Sequence, residues 1–213
     1  TEIYTLSLHV ALPIWFSRYA DPEVAAGQKA YMRGKFEFLG VKTPDRRRAS
    51  KSFIAAHGPQ VVPDLWAEPE REFQYVGADL LWAKVSQLGC ADVEWLGGFV
   101  QQKSWWDTVD ALAKTIGQVA TAQQMLAWSV ADNLWLRRVA IIHQLRRKAS
   151  TDTDLLARII VNNVGSTEFY INKAIGWALR EYSKTDADWV RGFVATHELS
   201  RLSQREALKR LGG

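Results

Sequence analysis

From about residue 20 to its end the chain reads as a succession of helices. DPEVAAGQKAYMRGKF, 21–36, opens with Asp21 as a candidate N-cap and Pro22 at the first helical position, where a missing N–H does no harm. TPDRRRASKSFIAAHG, 43–58, repeats that opening with Thr43 and Pro44 and stops at Gly58. EPEREFQYVGADLLWAKVSQLG, 68–89, does so again with Glu68 and Pro69. TDTDLLARII, 151–160, carries the capping-box spacing from Thr151 to Asp154. Period-two alternation and Asn-Gly hairpin signals are both wanting, so the pattern predicts an all-α chain with short connections.

A weak repeat runs through these helices. FQYVGA from Phe73, WWDTVD from Trp105, WLRRVA from Trp135 and FYINKA from Phe169 each begin on an aromatic, with starts 32, 30 and 34 residues apart. Five positions on stand Ala78, Asp110, Ala140 and Ala174. A period of this length predicts an α-solenoid of helix pairs, each burying its apolar face only by stacking on its neighbours. Asp110 breaks the pattern with a carboxylate where the other blocks keep alanine. Counting each block from its aromatic, Trp106 is at one, Asp110 at five and Trp177 at eight, steps that hold to one helical face. If corresponding helices run parallel, these three side chains converge on one concave strip.

Composition narrows the possibilities. The 213 residues are enough for a sizeable core. The ten tryptophans exceed ordinary packing needs and suit a surface that stacks on planar or charged partners. The formal charge of +4 is a mild bias. Its clustering says more: Arg33 to Lys35, Arg46 to Arg48, Arg137 and Arg138, Arg146 to Lys148, and Arg201, Arg205, Lys209 and Arg210. Each cluster taken singly also fits a solvated helix face. Cys90 stands alone, which argues against disulfides and predicts a buried structural thiol. His9, His57, His143 and His197 lack ligand spacing, so no metal site is expected. No stretch is long enough for a membrane span, and a cytoplasmic protein is expected.

The first residues, TEIYTLSLHVALPI, lack the basic start of a signal peptide. They resemble the in-frame translation of a sequencing adapter, with Val10 in place of an expected Asp. The expectation is an artefactual extension over 1–14 and a single domain over 15–213; an apolar first strand or helix is the competing account.

Within KSWWDTVD, Ser104 and Asp107 match a capping box, which assigns Asp107 to the helix start. Asp110 sits beyond the first turn, where no amide needs capping. A solvent-facing charge would account for Asp110, and core packing for Trp106 and Trp177; together on one strip they make a site. Indole faces attract cations by roughly 0.5–2 kcal/mol, and a carboxylate beside them stabilises positive charge and orients water. A second carboxylate is missing for ordinary glycoside hydrolysis. A substrate whose leaving group is already cationic needs no general acid.

At this point the chain resembles the AlkD-type DNA alkylation-repair glycosylases, which are built from HEAT-like repeats. The matching stretches are YMRGKFEFLGVKTPDRR, LWAEPEREFQ, KSWWDTVD, ADNLWLRRVAIIHQL, EFYINKAIGWALREYSKT and LSQREALK, in order, from about residue 15 to the end. The resemblance implies a concave basic groove and excision of N3- and N7-alkylated purines from duplex DNA, with the lesion left stacked rather than flipped into a pocket. It implies that Asp110, Trp106 and Trp177 are the catalytic set and that Arg138 contacts DNA. Lys103, Arg137 and Lys173 are the further candidate DNA-binding cations. The repeat register puts Arg138 about 200° from Asp110 on ideal helices, so either it serves the groove's edge or the register is off. Departures from the family pattern are confined to the two ends of the chain.

The expected function is therefore a monomeric, cofactor-free hydrolase of base-excision repair, bacterial in type and associated with the nucleoid when bound to DNA. Its groove holds the duplex backbone. Asp110 stabilises an oxocarbenium-like sugar and positions water, and the two indoles hold the sugar and phosphates. The alternatives are a non-catalytic solenoid that binds DNA or protein along its concave face, and a protein scaffold indifferent to DNA.

Overall fold

The computed structural model describes residues 16–212, so the reading of 1–14 as an extension lies outside the described residues. Twelve α-helices are present among them, joined by turns and short 3-10 segments, and the pairing of extended backbone is limited to an isolated bridge between Glu37 and Glu70. The fold is all-α. Its helices group into two compact units that divide between Gln87 and Leu88.

The first unit holds α1 (Pro22–Tyr31), α2 (Thr43–Ala56), α3 (Val62–Ala67) and α4 (Arg71–Ala83). Asp21 caps α1 as its sequence suggests, accepting from the amides of Glu23 and Val24. Helix α2 begins one residue earlier than expected, at Thr43, with Lys42 as its N-cap. The expected start at Glu68–Pro69 is a correction. α3 ends at Ala67, and those two residues belong to the connection before α4, whose N-cap is Glu70. Glu68 is extended there, with ψ 142°, since a residue before proline is pushed out of the helical region. Buried Glu72 accepts from the amides of Leu39, Gly40 and Val41, which fastens the long connection between α1 and α2 to α4. Gly40 is obligatory: its φ is 84°, and a Cβ there would lie 2.0 Å from the Asp21 carbonyl oxygen.

The second unit holds α5 (Val93–Gln101), α6 (Trp106–Val119), α7 (Ala122–Ser129), α8 (Leu134–Ile142), α9 (Thr153–Val161), α10 (Phe169–Tyr182), α11 (Ala187–Thr196) and α12 (Arg201–Leu208). α6, α8, α10 and α12 touch one another in succession; α5 packs on α6, α7 on α8 and α11 on α12, while α9 packs on α7 and α8. Each inner helix buries an apolar stripe at helical spacing: Val109, Leu112, Ala113 and Ile116 on α6, and Ile171, Ala174, Ile175 and Leu179 on α10. Burying one such leucine or isoleucine contributes roughly 1.5–3 kcal/mol, so the stacking of neighbours holds the unit together. The aromatics that open the repeat blocks from Trp105 onward stand at or near the N-terminal ends of α6, α8 and α10, and Ala140 and Ala174 are fully buried.

Two helix starts differ from expectation here. Asp152, not Thr151, caps α9 through the Leu155 amide. The N-cap of α6 is Trp105, without a side-chain cap bond, because Ser104 instead donates its hydroxyl to the Val100 carbonyl and closes the end of α5. Asp107 falls in the first turn, where its charge favours the positive end of the helix dipole.

Candidate active site

Asp110 lies on α6 at the position that Ala140 and Ala174 bury in α8 and α10. Its side chain keeps 18% exposure, too little for a carboxylate to rely on water alone. Arg138 of α8 meets it with a two-pronged bond, Nε donating to Oδ1 at 2.7 Å and Nη2 to Oδ2 at 2.8 Å. The remaining prong, Nη1, donates to the backbone carbonyl of Tyr170 at 2.7 Å. One buried guanidinium thus ties α6, α8 and α10 together.

This pairing explains the 200° offset between Asp110 and Arg138. On neighbouring parallel helices, a residue that points forward to the next helix and one that points back from it sit about half a turn apart around their own axes. An offset near 180° is what a bridge between adjacent repeats requires, so Arg138 is Asp110's partner and not a residue at the edge of the strip. Burial pushes the Asp110 carboxyl above its ordinary value of 3.8, while the hydrogen bonds and charge of Arg138 oppose the shift. The group is a carboxylate of raised basicity, fixed in orientation on both oxygens.

Trp106 is half-buried at the first position of α6, one turn before Asp110 on the same face. Trp177 is half-buried on α10, two turns after Tyr170 and about 20° round the axis from it. Trp177 therefore stands on α10, two helices on in the succession from α6, and the Arg138–Tyr170 link reaches that helix two turns before it. The sequence reading did not foresee the aromatic cluster beside this link. The rings of Trp105, Trp135 and Tyr170 meet pairwise with centroids 5.0–5.8 Å apart, and exposed Phe169 packs edge-on against Tyr170. The signal was present: Trp105, Trp135 and Phe169 are the aromatics that open the repeat blocks.

The other candidate cations differ in their surroundings. Lys103 is half-buried in the turn between α5 and α6 and has a left-handed backbone, φ 48°. Arg137 is half-buried on α8 next to Arg138. Lys173 is committed within the unit: its Nζ pairs with Glu206 Oε1 at 3.0 Å, and Arg180 reaches the other oxygen. That network, led by the Lys173 hydrogen bond, holds the Glu206 carboxyl below its usual range and joins α10 to α12. Cys90 is exposed, contrary to the expected burial, because it opens a 3-10 turn before α5 rather than lying on an apolar face. No group of three or more potential metal ligands occurs among the described residues, and no helix of theirs is long and apolar enough to cross a membrane.

A carboxylate clamped by an arginine, with the Trp106 indole one turn before it, is suited to holding positive charge beside oriented water. Comparison with known proteins agrees with a role in DNA repair. No curated protein matches the chain. The family model for DNA alkylation repair enzyme matches residues 15–211. The fold is similar to the solved structure of a predicted DNA alkylation repair enzyme from Enterococcus faecalis, with a TM-score of 0.86 and 37% identity over 91% of this chain and 97% of that one. The chain belongs to the DNA alkylation repair enzyme family.

Proposed function

We propose that the protein is a monofunctional DNA glycosylase that hydrolyses the N-glycosidic bond of N3- and N7-alkylated purines in duplex DNA. The observation that carries this reading is the Asp110–Arg138 pair, which places a basic, oriented carboxylate at a position where the repeat otherwise keeps alanine. An alkylated purine is cationic, so its glycosidic bond breaks with the electron pair passing to the base, which leaves neutral. Positive charge then develops on the deoxyribose. Asp110 stabilises that charge, water adds at C1′, and the carboxylate takes the water's proton. Trp106 and Trp177 offer their ring faces to the sugar and its developing cation. Arg138 keeps the carboxylate aligned, while Lys103 and Arg137 supply positive charge toward the phosphates. An open face of stacked helices suits a lesion that stays in the duplex, and the working protein is a monomer held on the nucleoid.

The pair also suits a second reading, a non-catalytic helical stack in which Asp110 and Arg138 are only a strut between repeats. Purified protein incubated with methylated duplex DNA separates the two. The glycosylase releases free 7-methylguanine and leaves abasic sites, whereas the strut binds without releasing base. Absence of release under conditions where the protein binds the duplex overturns the glycosylase assignment.

A further inference from the structure

One basic cluster is not absorbed by the Asp110 centre. After α8 the chain turns through Arg146, Arg147 and Lys148, and these side chains part company. Arg147 turns inward, donating to the Gly117 carbonyl and to Gln144 Oε1. Arg146 and Lys148, both exposed, line a cavity of about 260 Å³ between the C-terminal ends of α8 and α10. Lys184 also lines the cavity but is paired with Glu181, the one carboxylate in the lining, and Thr151 and Thr185 contribute hydroxyls. The floor is apolar, with Ile141, Leu156 and Ala178. Arg146 and Lys148 have left-handed backbones, φ 70° and 53°, a conformation that residues with long side chains adopt at a cost. Its effect is to aim two cations into one cavity.

We propose that this pocket is a phosphate site distinct from the Asp110 centre and that it takes a backbone phosphate of the bound duplex. With Lys184 and Glu181 neutralising each other, Arg146 and Lys148 leave the lining positively charged, which favours an anion, and the two hydroxyls favour one with several acceptor oxygens. The apolar floor accommodates the sugar that a backbone phosphate brings with it. Along α8, the floor begins within about 10 Å of Arg138, a span over which a duplex presents several phosphates. The assignment of DNA as the source rests on the function proposed above; the anion chemistry does not.

The test is DNA affinity as a function of salt for the full chain and for an Arg146→Asn/Lys148→Asn double variant. Asparagine tolerates the left-handed backbone, so the variant's melting temperature should not fall. The proposal expects the slope of log affinity against log salt to shrink by about two. Affinity at 100 mM salt should fall on the order of tenfold to a hundredfold, equally for methylated and unmethylated duplex. Single-turnover release of 7-methylguanine at saturating protein should not change. Arg146→Asn alone should shrink the slope by about one. An unchanged slope in both variants overturns the phosphate site even if the wild type excises base. A shrunken slope in a protein that releases no base upholds the site and removes the glycosylase reading instead.

Discussion

A carboxylate at position 110 destabilises the fold unless a cation meets it, and Arg138 meets it on both oxygens. Removing one member of such a pair leaves a buried charge uncompensated, which costs about 3–5 kcal/mol. Arg138→Ala should therefore lower stability by that order in a denaturant titration. Replacing the pair together, Asp110→Leu with Arg138→Met, should recover most of the loss, because apolar residues of similar volume restore the packing. A double variant as unstable as Arg138→Ala would mean that the charge pair is not what the position demands. Burial also leaves a signature in activity. With its carboxyl raised above 3.8, Asp110 takes up a proton earlier on acidification than an ordinary aspartate. Excision should then fall with decreasing pH through a midpoint above that value, and Asp110→Asn should abolish the limb along with the activity. That Asp110 breaks the repeat was legible from its position, whereas its partner was not: the sequence placed Arg138 half a turn away without showing that this offset makes it face Asp110 from the next helix. The role of the Tyr170 carbonyl was not legible, because a backbone acceptor carries no residue-type signal.

At the scale of elements, close approach between helices sets the tolerances. A Cβ at Gly117 of α6 would lie 2.1 Å from the backbone carbonyl oxygen of His143, which cannot swing aside as a side chain would. Gly117→Ala should cost about 1–3 kcal/mol through displacement of the end of α8, measured as a lower urea midpoint at unchanged m-value. The same substitution at Gly98 meets only a flexible glutamine end at 3.9 Å and should be near neutral or stabilising. Helix starts were read unevenly for a physical reason. Asp21 and Asp152 cap with their own side chains, so residue type marks them to within a position. α4 and α6 start at Glu70 and Trp105 with no side-chain cap at all, fixed by packing against other helices, and no local signal marks them.

At the scale of the whole molecule, acid stability should be governed by His143. It is buried at the end of α8 with its Nδ1 2.6 Å from the Ala140 carbonyl, and burial lowers its pKa from 6.5 to about 4. The unfolded chain binds that proton first, so the contribution is fully present above pH 6.5 and is lost as pH falls toward 4, up to about 3 kcal/mol in all. Asp110 acts in the opposite sense: its raised carboxyl makes the charged form costly in the fold, and that cost is relieved only as pH drops through its own raised value. Urea titrations at pH 7 and pH 5 should show a loss of about 2 kcal/mol, and His143→Gln should flatten that difference. The all-α class and the spacing of the inner helices were visible in the sequence because aromatics and alanines recur where the stack needs ring contacts and close packing. The bridge from Asp110 through Arg138 to α10 emerges only when helices distant in sequence are brought side by side.

The central claim is that Asp110 acts on the sugar at the moment the base departs. Single-turnover release of 7-methylguanine from methylated duplex, by wild type and Asp110→Asn at saturating protein, tests it most directly. The account predicts a fall of roughly 100- to 1000-fold in the rate with duplex affinity unchanged or slightly tighter, since a negative charge leaves the DNA-facing side. Release by Asp110→Asn at the wild-type rate would contradict it.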